Sequence, residues 1–194
     1  MLYTQGDAKK EISLQIKTLI IDEEADDGIA GELERLLHEI GAEGELSLQD
    51  LNDVSDPENC DEIELCTEAT IETGERGDII ISYKENEDDP QLSTDVKIIF
   101  NPENTGLVVM SKEGAISTVL SFEEGKTHIC AYDTPFMPFK VYVTSNQVVN
   151  KLLSTGKLKL DYILNLNDTP PQHFIITVTA KDIPDNALKD FFNE

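Results

Sequence analysis

Apolar residues recur at every second position along most of this chain, and that period of two constrains the fold more than any other feature. Ile12, Leu14 and Ile16 alternate with Ser13, Gln15 and Lys17. Ile63, Leu65, Thr67, Ala69 and Ile71 alternate with Glu62, Glu64, Cys66, Glu68 and Thr70. Leu158, Leu160, Tyr162, Leu164 and Leu166, and then Phe174, Ile176, Val178 and Ala180, repeat the pattern near the C-terminus. Weaker alternation covers 78–85, 95–100, 107–112, 116–122, 127–133 and 139–144. Successive side chains of a strand point to opposite faces, so this pattern describes strands with one buried face and one wet face.

The breakers agree. All eight prolines fall between these runs, where a missing N–H costs the ladder nothing. Gly74, Gly77, Glu113-Gly114, Glu124-Gly125, Thr155-Gly156 and the stretch Asn101 to Gly106 read as turns. From residue 62 onward the turns recur at short intervals, with a longer connection expected near 145–156. The expected fold is mainly β: a closed antiparallel meander β-barrel of about eight to ten strands, since closure removes edges that such a sheet would otherwise expose.

One segment departs from the pattern. From Asp22 to Glu62 there are sixteen acids and one base, Arg35. Within it Ile29, Leu33, Leu36, Leu37 and Ile40 follow helical spacing, with Asp27 as N-cap and Gly41 just past the end. The chain is therefore read as a single barrel domain over 1–194, with an acidic insertion at 22–62 carrying a helix near 29–40. A short tail or helix at 184–194 would bury Leu188, Phe191 and Phe192.

Thirty-nine acids against fifteen bases give a net charge of −24. Nucleic acid binding needs clustered Lys and Arg, so a phosphate backbone is excluded as a partner, and an anionic membrane surface with it. Cys60, Cys66 and Cys130 are odd in number and lack C-x-x-C spacing, which suits free thiols in a reducing compartment. No basic and apolar leader opens the chain, and no run approaches a membrane span. A soluble, cytoplasmic protein is expected, with its oligomeric state open.

The segments Gly114-Ala115, Leu120 to His128 and Tyr132-Asp133-Thr134-Pro135-Phe136 resemble the YwiB-like family, as do Ile63 to Glu68 and Ile81 to Glu85. The resemblance spans roughly 9–21 and 61–181. It implies a bacterial protein of unknown function with a calycin-like, lipocalin-like barrel. Where that family has Thr-Pro-aromatic-Gly, this chain has Thr134-Pro135-Phe136-Met137. Because the family has no established catalytic residues, the resemblance bears on fold rather than chemistry.

Candidate sites are few. His128, Cys130 and Tyr132 share one strand face. A Cys–His pair suits a nucleophile with its base, or half a zinc site, but no further ligand lies nearby in sequence. The plainer account is a barrel-wall histidine beside a small apolar thiol. Glu68, Tyr83 and Glu85 face either the interior or solvent; a buried carboxylate beside a tyrosine would anchor a ligand, while the plainer account puts Glu68 on the same wet face as Glu62 and Glu64. The run Glu23 to Glu34 fits an EF-hand loop poorly, with Glu at the first position and Ala25 at the third. Gly125-Lys126-Thr127 lacks the first glycine of a P-loop and reads as a hairpin turn. No cofactor is implied. The expected function is non-enzymatic binding of a small hydrophobic or amphipathic molecule in the barrel, with Glu68, Tyr83, Glu85, His128, Cys130 and Tyr132 as candidate contacts. The alternatives are a packed-core protein that contacts a basic partner through its acidic insertion or surface, and an enzyme or metal site at His128 and Cys130.

Overall fold

A computed structural model describes residues 9–22, 60–89, 93–114, 117–133, 138–166 and 170–181. The expected helix at 29–40, the Glu23 to Glu34 run, the 134–137 turn and the 184–194 tail lie outside these residues. The elements are β1 (Lys10–Asp22), β2 (Cys60–Thr73), β3 (Ile79–Glu85), β4 (Thr94–Asn101), β5 (Asn104–Glu113), β6 (Ser117–Glu123), β7 (Thr127–Asp133) and β8 (Pro138–Lys151). They continue with a single helical turn α1 (Leu152–Thr155), β9 (Lys157–Leu166) and β10 (Gln172–Lys181).

The ten strands form a closed barrel in which each pairs with its sequence neighbours, and β1 pairs with β10 to close the ring. Every pairing is antiparallel. The period of two is what makes closure favourable. One parity of each strand points inward, and rows of apolar residues meet across neighbouring strands. Ile79, Phe100, Val108 and Phe122 make one such row, and Ile81, Ile98, Met110 and Leu120 the next. Both rows are buried. Each side chain so removed from water contributes roughly 1.5–3 kcal/mol against the entropy of ordering the chain.

At one end of the barrel, the turn end, the connections are of five residues or fewer. They are Gly74–Asp78, Pro102–Glu103, Glu124–Lys126 and α1 with Gly156. Leu152 of α1 is fully buried, plugging this end. Gly156 then turns the chain into β9 with φ of 70°, a left-handed conformation that L side chains rarely adopt. Its N–H donates to the Leu152 carbonyl and its own carbonyl accepts the Ala180 N–H at 2.7 Å. A Cβ at this position would collide with the Ala180 carbonyl oxygen.

Strand β8 runs further than the expected 139–144. The alternation halts after Val143 because the β8–β9 register shifts between Ser145 and Gln147, then resumes to Lys151. An extra residue of this kind bends a strand and reverses its apparent parity. The β6–β7 hairpin tip fastens onto the shift. Gly125 N–H donates to the Ser145 carbonyl, Ser145 N–H to the Lys126 carbonyl, and Glu123 N–H to Ser145 Oγ at 3.2 Å. The Gly125-Lys126-Thr127 sequence is thus a hairpin turn, with Gly125 at φ of 73°.

At the other end, the mouth, the connections are 23–59, 86–93, 114–116, 134–137 and 167–171. Segment 23–59 leaves β1 and enters β2 here, since Ile21 lies opposite Cys60.

Candidate functional site

The inner wall changes character at the mouth. Above the two apolar rows lies a third, Tyr83, Val96, Lys112, Thr118 and Tyr132, aligned side by side across β3 to β7. Glu85 follows Tyr83 on the same face of β3. Lys112 Nζ contacts both Glu85 oxygens, at 2.9 and 2.8 Å, and Tyr83 Oη donates to Glu85 Oε1 at 3.4 Å. The ion pair is partly sheltered, with 32% of the Lys112 side chain and 25% of the Glu85 side chain exposed. Burial, reinforced by the adjacent Glu85 carboxylate, pushes the Tyr83 phenol well above its ordinary value, so the hydroxyl stays protonated and remains a donor. Thr118 Oγ1 donates to the Ala131 carbonyl at 3.0 Å.

Facing this polar arc are apolar side chains of β9 and β10. Tyr162 stacks on Phe174 with ring centroids 5.3 Å apart and meets Phe122 edge-on at 4.8 Å. Burial, with Tyr132 nearby, raises the Tyr162 phenol too. Leu164, Leu166 and Phe174 are only partly buried where they pack on the core. The mouth is therefore amphipathic, polar on the β3–β7 side and greasy on the β9–β10 side. Deeper in, the described side chains of the two apolar rows are packed. Ile79, Ile98, Val108 and Phe122 have 0% exposure, so no space wide enough for water touches them. Whether the interior is open or packed is a point on which the sequence is silent, and these rows are packed.

The candidate residues separate accordingly. Tyr83, Glu85 and Tyr132 come together at the mouth on the inner face. Glu68 does not join them: it is exposed on the outer wall, bordering a shallow groove with Ser13, Gln15, Cys66 and Lys181. His128 and Cys130 share the inner face with Tyr132, and Cys130 is buried. No hydrogen bond joins them among the described residues, although a nucleophile and its base require one. His128 Nε2 is buried and has no hydrogen-bond partner among the described residues; Glu123 Oε2 stands 3.7 Å away, beyond hydrogen-bond reach. His173 sits on the outer wall, 2.9 Å from Asp161, far along the sheet from β7. Among the described residues no group of three or more His, Cys, Asp and Glu is arranged to hold a metal.

Lys112 and Thr118 were missed in the sequence reading. The signal was present: Val108, Met110 and Lys112 share one parity, so a lysine stands where the pattern calls for an apolar residue.

These features define a ten-strand antiparallel meander barrel with a plugged end and an amphipathic mouth. Residues 50–178 match a family described as a domain of unknown function, DUF1934, and the chain belongs to that family. Its fold is similar to that in the crystal structure of the ywiB protein from Bacillus subtilis. The TM-score is 0.54 and the identity 15%, covering 89% of this chain and 93% of that one. At that identity the likeness bears on the fold alone. No curated protein matches the chain.

Proposed function

We propose that the protein is a non-enzymatic binding protein whose barrel mouth holds a small amphipathic molecule. The observation that carries this reading is the Glu85–Lys112 pair with Tyr83, a charged pair placed on a largely apolar inner wall. An ion pair taken partly out of water is weak support for stability, because desolvation opposes the Coulomb attraction. A role in recognition accounts for its position. Glu85 engages two directions of the Lys112 ammonium, leaving the third proton as a donor and the carboxylate's remaining lone pairs as acceptors. That set suits an uncharged head group able both to accept and to donate, such as an amide or hydroxyl. A chain of net charge −24 repels anions, which favours neutral amphiphiles further. The body of the molecule would lie on Leu164, Leu166 and Phe174. Because the deeper rows are packed, the site is shallow and takes a short apolar body.

Native mass spectrometry of the purified chain with a medium-chain primary amide, the matching alcohol and the matching carboxylate tests the reading. Amide and alcohol adducts are expected, with the carboxylate weaker. The double variant Glu85→Leu with Lys112→Met should stay folded and lose the adducts. Equal retention by that variant, or no adduct with any member of the series, would refute the site.

A further inference from the structure

We propose that the free edge of β2 at the mouth accepts an extended, basic segment of a partner protein as an added strand. This rests on the strand pairing and is independent of the ligand reading above. Strand β2 pairs with β1 from Cys60 to Ile71, but with β3 only from Ala69 to Thr73. Cys60 to Glu68 therefore runs past its ladder with β3, and among the described residues no strand pairs with its second edge. That stretch is about 30 Å long at the usual rise per residue.

Proteins blunt such edges with short strands, proline, bulges or charge. This edge is long, contains no proline, and keeps an unbroken register with β1. Among the described residues charge is the device left, and it is of one sign. Asp61, Glu62, Glu64 and Glu68 are exposed along it. Lys17 pairs with Glu62 at 2.8 Å from the neighbouring strand, and Glu64 accepts a hydrogen bond from Gln15. A second copy of this chain docking here would set these carboxylates against their equivalents, which is unfavourable. A strand with Lys or Arg at alternate positions meets them with opposite charge. Its other side chains would reach Ile63, which is 56% exposed, and Leu65 beside it. Main-chain hydrogen bonds along an open edge supply affinity, and alternate side chains supply selectivity.

The test uses the full chain and a short peptide alternating lysine and valine. A second version carries methyl groups on alternate backbone nitrogens, which keep the charge but remove the donors. Hydrogen exchange should show alternate amides of Cys60 to Glu68 gaining protection with the first peptide and not with the second. The triple variant Glu62→Gln, Glu64→Gln, Glu68→Gln should bind the first peptide roughly tenfold more weakly while its circular dichroism is unchanged. Equal binding of the methylated peptide would reduce the effect to ionic adsorption and overturn the proposal. So would edge amides already protected in the free protein, which would mean the chain covers its own edge, or a dimer in sedimentation that protects the same amides.

Discussion

At the turn end of the barrel every connection is short, Leu152 plugs the opening, and a glycine in left-handed geometry sits where a neighbouring carbonyl leaves no room for a Cβ. At the mouth the connections vary in length and include the long 23–59 and 86–93 segments, β2 outruns its partner β3, and charged and hydroxyl groups replace aliphatic ones on the inner wall. The difference separates two tasks. A packed end concentrates stabilisation, because close packing makes each methylene count. A mouth holding a partly buried ion pair gives up some of that in return for groups that can recognise another molecule.

The contrast breaks first if the turn end proves tolerant. Phe122→Ala should cost about 3–5 kcal/mol, since the side chain is fully buried, packs edge-on against Tyr162 and leaves a cavity that stiff strands cannot close. Gly156→Ala should cost about 1–3 kcal/mol, because φ of 70° is strained for alanine and its Cβ collides with the Ala180 carbonyl. Chemical denaturation measures both. Losses under about 1 kcal/mol for each would mean that the plugged end is not where stability resides.

How much of this was legible in the sequence follows from particular residues. The closed meander was legible because alternation survives in strand after strand, and rows such as Ile81, Ile98, Met110 and Leu120 need only parity to be seen. The extent of β8 was not, because the register shift at Ser145 and Gln147 inverts parity and looks like a loop. Glu68 was legible as a wet-face residue, because it shares its parity with Glu62 and Glu64. Glu85 was not, since the apolar run that opens its strand shows no alternation, and the pairing of Ala69 with Tyr83 is what puts it inside. Lys112 carried a readable signal, a cation in apolar register, but its partner Glu85 stands two strands away and no local pattern links them. The filled interior depends on how side chains from many strands interlock, which parity does not encode.

At the mouth the comparison is sharpened by contrasting a single with a double substitution. Glu85→Leu alone strands the Lys112 ammonium partly out of water and should cost about 1–3 kcal/mol. Adding Lys112→Met should recover most of that loss, because apolar replacements of a sheltered ion pair are often neutral or stabilising. Denaturation midpoints of the two variants and the parent decide it. Should the double variant be the least stable of the three, the pair is structural and its place at the mouth says nothing about recognition.

The smallest expected effect lies on the outer wall, where neither end's rule applies. Partial burial tends to raise the Asp161 carboxyl, but His173 and Asn146, which hydrogen-bond to it, with Lys159 nearby, outweigh this and hold it below its ordinary 3.8. A carboxyl lowered by folding contributes stability that is present above its unfolded value and lost as pH falls through the folded one. Asp161→Asn should therefore cost less than about 1 kcal/mol at neutral pH, as partly exposed pairs do. The gap to the parent should close as pH falls below 3.8, once the native carboxyl is also protonated. Melting temperatures of parent and variant from neutral to acid pH measure this convergence. A gap that stays constant into acid would mean the side chain acts through hydrogen bonding or shape rather than charge, leaving the outer wall electrostatically silent between the two ends.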